Sequence, residues 1–207
     1  MQASTPKNTV QQSYHHGNLR QALLEKAQEQ LTEVGPDKLS LRALARDVGV
    51  SQTAPYRHFA DKTDLLAALS ATGFRRLRDA LMAEVEGLES AVDKLHISGK
   101  TYILFAQNNA ELYRLMFGPM IPPDFDHREL QEAGNEAVTA IVGIIESGIQ
   151  QGQFRADDPF VLANSAWGMV HGLASLLIDN RFSCTERPFL EEDVDKALRV
   201  VSAGLSC

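Results

Sequence analysis

Gln52, Thr53, Tyr56, Arg57 and His58 fall within seven residues of one another, between two apolar stretches. Amide, hydroxyl, phenol, guanidinium and imidazole groups in such a cluster suit phosphate oxygens and base edges. To reach DNA they need one short element held clear of a packed body. The flanking residues supply that frame. Leu41, Leu44, Ala45 and Val48 recur at helical spacing and form one buried stripe. Ser40 stands before them as an N-cap, its side chain placed to accept from a first-turn N–H. Gly49 follows and can take the left-handed conformation that closes a helix. Ser51 is expected to cap a second short helix, with Pro55 in its first turn, where a missing N–H costs least. Phe59 and Ala54 pack inward. Asp61, with Asp64 three residues on, caps a further helix. Residues 39–59 thus read as a helix-turn-helix, and the second helix is its reader.

Gly49-Val50-Ser51, Tyr56-Arg57-His58-Phe59, Asp61-Lys62 and Leu65-Leu66 together resemble the DNA-binding domain of the TetR family of bacterial repressors. Tyr14-His15-His16-Gly17-Asn18-Leu19-Arg20 resembles one subgroup's entry into the first helix, so the likeness covers residues 14–77. Position in the first turn marks Gln52 and Thr53 for base edges, and Ala54 suits a thymine methyl. The resemblance implies phosphate contacts from Tyr56, His58 and Lys62, with Ser40, Arg42 and Ser51 added to the DNA set. Pro55 stands where the family often has other residues. Arg57 reads equally well as solvated surface and as a DNA contact.

Elements must position these groups. The chain has 207 residues, a net charge of −7 and no strand-like alternation. Residues 1–80 carry 11 Lys+Arg against 8 Asp+Glu (+3), and the remainder carries 9 against 19 (−10). The end that bears the reader is the cationic one, and the acidic remainder disfavours docking by any other face. A first helix is expected over residues 16–34, with Leu19, Leu23, Ala27, Leu31 and Val34 inward and Gly35-Pro36 as its stop. A longer helix begins near Lys62, passes Leu77, Leu81 and Val85, and crosses a domain boundary near residues 70–78. Further helices are expected over residues 91–110, 111–117, 126–151, 158–179 and 190–205, with a loop at 118–123. The division expected is a flexible tail at 1–13, a three-helix DNA-binding domain at 14–77 and a helical ligand-binding and dimerisation domain at 78–207.

Trp167-Gly168-Met169-Val170-His171-Gly172 resembles the Trp…His-Gly signature of one group of TetR-family carboxy-terminal domains. Asn164, Gly168, Gly172 and Ser175 form a row of small residues, joined by Ala197, Val201 and Gly204 of the last helix. The row suits a dimer seam or close packing within one subunit. Tyr102, Phe105, Asn109, Tyr113, Met116, Phe117, Trp167 and His171 suit either an effector pocket or plain core, and the resemblance favours the pocket. Gln107 and Met120 are weaker candidates. His96 and His127 read as surface.

No Gly-x-Ser-x-Gly, phosphate-cradling Gly-rich loop or His-Glu-x-x-His occurs. No metal or cofactor is expected, and His15-His16 alone makes no metal site. The polar start, the lack of an 18-residue apolar run and two isolated cysteines (Cys184 and Cys207) suggest a cytoplasmic protein with no membrane partner. The reading is an all-α, homodimeric transcriptional regulator of a pseudo-palindromic double-stranded operator. It is expected to be a repressor released by a small-molecule effector. Two alternatives stand beside it: a helical small-molecule-binding protein or enzyme that does not act on DNA, and a ligand-independent regulator with a filled core.

Overall fold

The computed structural model describes residues 18–184 and 189–206. The expected tail, Tyr14 to Gly17, the helix start at His16 and Cys207 lie outside them. Eight α-helices make up the described chain: α1 (Leu19–Val34), α2 (Leu41–Asp47), α3 (Lys62–Val85), α4 (Ala91–Asn108), α5 (Ala110–Phe117), α6 (Arg128–Gln150), α7 (Pro159–Ile178) and α8 (Glu191–Leu205). A single antiparallel bridge, Phe154 to Ser206, ties the α6–α7 loop to the end of α8.

Local chemistry sets most boundaries. The Asn18 side chain accepts from the Gln21 amide and starts α1. Asp61 accepts from the Asp64 amide, and Asp64 accepts in return from Ala60, so the entry to α3 is doubly pinned. Asp158 accepts from the Phe160 amide, with Pro159 at the first helical position of α7. Ser40 does occupy the N-cap of α2, yet its side chain makes no cap hydrogen bond. Val34, expected inward, is exposed: it lies in the last turn of α1, beyond the body it packs on. His127, expected at the surface, is largely enclosed instead. Its Nδ1 accepts from the Leu130 amide and caps α6, while Nε2 lies 3.2 Å from an Asp64 carboxylate oxygen at the start of α3. His96 is also engaged, 2.8 Å from Asp195.

The larger of two core clusters runs from the reader end into the helical body. Leu23, Leu44 and Phe59 belong to the same packed cluster as Tyr102, Ile103, Tyr113 and Leu198. The helix α3 joins the two ends of that cluster. Its 24 residues make a rod of roughly 36 Å, with Leu65, Leu66 and Leu69 packed towards α1 and α2 and Leu77 and Leu81 towards α4 and α6. A smaller cluster around Ile145, Phe154, Leu162 and Leu205 closes the far end.

By length and composition, α7 is apolar enough to cross a membrane. Its two faces account for that. Leu162, Ala163, Ala166, Val170 and Ala174 are buried against the other helices, while Val161, Gly168, Met169 and Leu176 lie on the outer side.

Candidate functional site

The reader forms as the spacing of turn residues dictates, with one departure. After α2, the Val50 amide reaches back to the Ala45 carbonyl at 2.9 Å while Gly49 sits at φ +76°. That positive φ favours glycine and makes the tight turn. The second element, expected to be a helix capped by Ser51, is instead a 3₁₀ turn over Ala54–Arg57 flanked by single turns. Pro55 explains the difference. It has no N–H to send to the Ser51 carbonyl, so the Ala54 amide takes that acceptor at 3.0 Å. The Ser51 hydroxyl faces the Thr53 hydroxyl at 3.2 Å and caps nothing. Pro55 and Phe59 are the buried anchors, and Ala54, expected inward with Phe59, is only half-buried. The Arg20 guanidinium lies over the Phe59 ring at 5.5 Å.

Ser51, Gln52, Thr53, Tyr56, Arg57 and His58 are exposed together on this turn, and Arg42 is exposed on α2. Ser40 is half-buried at the start of that helix. Lys62 is half-buried, and its ammonium donates to the Asp37 carbonyl at 2.6 Å. One donor therefore braces the short turn before α2, which leaves two others.

The second site is a cavity of about 350 Å³ enclosed by α3, α4, α6, α7 and α8. Leu77 and Leu81 come from α3, Ser98 and Tyr102 from α4, Ile141 from α6, and Val170 and Leu198 from α7 and α8. Of the expected pocket residues, Tyr102, Phe117 and Trp167 line it. Phe105, Asn109, Met116, Tyr113 and His171 do not. Asn109 ends α4 and accepts from Arg76 at 3.0 Å, and Phe105 and Met116 are buried in the core.

Tyr113 and His171 lie behind the wall in a small polar knot. The Trp167 indole donates to the Tyr102 oxygen at 3.2 Å. The Tyr113 hydroxyl approaches His171 Nδ1 at 2.7 Å, with the Tyr102 hydroxyl 3.0 Å from the same nitrogen. Phe117 closes the group, its ring 4.7 Å from the His171 ring. Burial pushes both tyrosine hydroxyls up and the imidazole down from their ordinary values. An imidazole that burial holds towards its neutral form gives stability a pH dependence of definite sign. The unfolded imidazole takes its proton near 6.5 and the folded one only at lower pH, so acidification through that window favours unfolding. Melting temperature is expected to drop as pH falls below about 6.5, and His171→Gln is expected to flatten that part of the profile. Identical profiles for the two proteins would remove His171 as the cause.

Two features connect the sites. The Glu129 carboxylate on α6 pairs with Arg20 on α1 and, at 2.7 Å, with Arg75 on α3. Burial pushes this carboxyl up, but the hydrogen bonds and charges of Arg75 and Arg20 outweigh that and hold it below the usual range. The same helix supplies Gly134, Asn135, Ala137, Val138 and Ile141 to the cavity wall. None of these α6 residues stood out in the sequence: small and aliphatic side chains carry no chemical signature.

The outer faces of α7 and α8 form a third surface. Gly168, Gly172 and Gly204 all look onto open space, with no atom of the chain near where a side chain would begin. Val161 and Val200 are 53% and 63% exposed beside them. Asn164 and Ser175 flank the row, half-buried, as is Ala197 on α8, and Asn164 stands at the border, since it also lines the cavity. Val201 does not belong to it. It points inward and lines the cavity, because it falls on the face of α8 that carries Leu198 and Leu205.

A helix-turn-helix with exposed polar groups, joined by a rod to a cavity-bearing helical body, defines a ligand-gated class of DNA-binding regulators. Residues 23–69 match the profile of bacterial regulatory proteins of the tetR family, and residues 95–201 match that of the tetracyclin repressor-like C-terminal domain. The chain belongs to the TetR family and is a DNA-binding transcription regulator. Neither match speaks to the Trp…His-Gly subgroup. A protein of unknown function from Rhodococcus sp. RHA1 superposes with a TM-score of 0.83 at 35% identity, over 95% of this chain and 100% of that one. The nucleoid occlusion factor SlmA of Vibrio vulnificus is 23% identical over 84% of this chain and 91% of its own. AibR, solved with isovaleryl coenzyme A and operator DNA, shares the fold at 18% identity and a TM-score of 0.60, over 90% and 97% of the two chains. Regulators of this family bind operator DNA and small-molecule effectors, and dimers are typical of them.

Proposed function

We propose that the protein is a homodimeric repressor that holds its operator without ligand and releases it when a small molecule fills the cavity. The double duty of α6 carries this reading. One rigid helix forms a wall of the cavity and grips α1 and α3 through Glu129 and His127. A ligand that shifts α6 shifts the frame of the reader, and ligand and DNA then oppose each other reciprocally. In this division residues 14–77 read DNA and residues 78–207 bind effector and dimerise. The protein catalyses nothing and works in the cytoplasm, where its DNA is. AibR, solved with both an acyl thioester and operator DNA, supports the pairing of the two ligands on this fold.

Within the reader, Gln52, Thr53 and Ala54 meet bases, and Arg42, Ser40, Ser51, Tyr56, His58 and Lys62 meet phosphates. Gly168 and Gly172 with Asn164 and Ser175, and Ala197 and Gly204 of α8, form the seam against a second copy. Lys62→Ala is expected to weaken binding to all sequences alike and to lower the slope of log affinity against log salt by about one. Its bond to Asp37 adds a structural component, seen as a lower melting temperature. An unchanged slope would take Lys62 off the phosphate set. Gln52 and Thr53 variants are expected to relax the preferred motif in a binding-site selection.

The whole reading is tested with the DNA upstream of the protein's own gene. Compounds that raise the melting temperature of the protein are expected to weaken its binding to that DNA, read by fluorescence anisotropy. Compounds that stabilise the protein and leave binding unchanged, or tighten it, would overturn release by effector.

A further inference from the structure

From the chemistry of the cavity wall we infer the class of molecule that the cavity takes: an uncharged, mainly apolar compound with one hydroxyl or carbonyl group that pairs with Ser98. The inference rests on the cavity being the effector site, and it goes beyond that by naming the ligand chemistry.

Charge decides the first half. Among the described residues no Asp, Glu, Lys, Arg or His lines the cavity. A carboxylate or phosphate placed there would be desolvated without a partner. Aliphatic side chains (Leu77, Leu81, Leu95, Ile141, Val170, Leu198) form most of the wall, and Phe74, Phe117 and Trp167 form an aromatic end. The volume of about 350 Å³ is at the small end of ligand sites, which run from roughly 300 to 1,000 Å³. A single substituted ring or a short branched chain fits that space.

Polar satisfaction decides the second half. The other buried or half-buried polar groups of the wall are engaged within the protein. Tyr102 is held by Trp167, Tyr113 and His171; Ser202 donates to the Leu198 carbonyl at 3.2 Å; the Asn164 amide donates to the Phe160 carbonyl at 2.8 Å. Ser98 differs. It is 3% exposed, lines the cavity, and its hydroxyl has no hydrogen-bond partner among the described residues. Buried hydroxyls are rarely left so, since an unmade bond leaves the desolvation of the group uncompensated. The oxygen is shut off from the void in this rotamer, and a turn about χ1 brings it to a ligand oxygen, which supplies the missing partner. Ser70 on α3 is also buried and unpartnered, but it lies outside the wall. The exposed lining residues are Asn135 and Val138 on α6 and Trp167 on α7.

Trp167 is the only tryptophan in the chain and lines the cavity, so its fluorescence reports occupancy. Three matched probes separate the possibilities: 4-isopropylbenzyl alcohol, 4-isopropyltoluene and 4-isopropylbenzoate. The alcohol is expected to change Trp167 emission saturably. The hydrocarbon is expected to bind about three- to tenfold more weakly, and the benzoate at least tenfold more weakly than the alcohol. Ser98→Ala is expected to fold, because it removes only an unpaired hydroxyl, and to erase the advantage of the alcohol over the hydrocarbon. Ala137→Phe, which narrows the α6 side, is expected to abolish the saturable change. The inference is overturned if the benzoate binds as well as the alcohol, if Ser98→Ala preserves the ratio, or if none of the three probes titrates. Operator binding is measured in the same samples. An alcohol that titrates Trp167 through Ser98 without releasing DNA would sink the effector reading while the ligand class stands.

Discussion

Gly168→Glu is expected to leave the protomer folded and to weaken operator binding by at least about a hundredfold. The site is favourable to the isolated chain. A side chain added at Gly168 meets no atom of its own protomer. Replacing a mid-helix glycine with a good helix former even favours the helix by roughly 0.5–1 kcal/mol. The damage falls on the second copy alone. Gly168 and Gly172 lie at the centre of the outer face of α7, between Val161 and Leu176. Two helices that approach closely over glycines cannot admit a carboxylate, whose desolvation is uncompensated among apolar side chains. Once the dimer is lost, each reader binds a half-site alone. The benefit of linking two modules, about 10²–10⁴ in affinity, disappears. Sedimentation is expected to give the mass of one chain, with helical content and melting temperature retained at low concentration. Val200→Asp, at a residue 63% exposed on α8, is expected to do the same. A Gly168→Glu protein that stays dimeric would move the seam elsewhere.

Glu129→Gln is expected to uncouple the cavity from the reader. Operator affinity without ligand changes less than about threefold, while the drop in affinity caused by a bound effector shrinks from its full range to less than about threefold. Allosteric coupling free energies of about 1–3 kcal/mol correspond to roughly 5–150-fold. The reason is geometric. Glu129 is the group through which α6 holds both Arg20 and Arg75, and its carboxylate serves two guanidinium groups at once. The neutral amide keeps the size but loses the charge and one of the two acceptor oxygens, so at most one of the two guanidinium groups keeps its hydrogen bond. Arg20→Gln is expected to produce much of the same loss, and the double variant to add little, since the two act as one unit. Ligand binding itself, read from Trp167, stays intact. A Glu129→Gln protein that releases DNA over the full range would show that the signal travels by another route, with the rod α3 the next candidate.

Much of this organisation was legible in the sequence because helix ends are written in nearby residues. Asp61 with Asp64, and Asp158 with Pro159, announce α3 and α7 by short-range bonds that involve no distant partner. The same kind of rule failed at Ser40 and Ser51, where a hydroxyl has several competing acceptors and Pro55 alters the hydrogen-bond ladder. The cavity was the least readable part. Aromatic and polar residues drew the eye to Tyr113, Asn109 and His171, and these turned out to brace the wall from behind. One side of the wall is built from Gly134, Ala137 and Val138 of α6, on a helix crossing that no local pattern encodes. Glu129 and His127 were equally invisible, because their partners lie up to 109 positions away in the chain.

The core that runs unbroken from Leu23 to Leu198 has a consequence for exchange of parts. Regulators of this kind invite grafting, with a foreign reader joined to a chosen sensor. Here a cut in the middle of α3 would divide a single packed interior and separate Arg20 and Asp64 from the helix that engages them. A chimera that keeps only the sensor would inherit a pocket without a lever. The transferable unit is the sensor together with the three residues of the reader half that α6 holds: Arg20, Asp64 and Arg75.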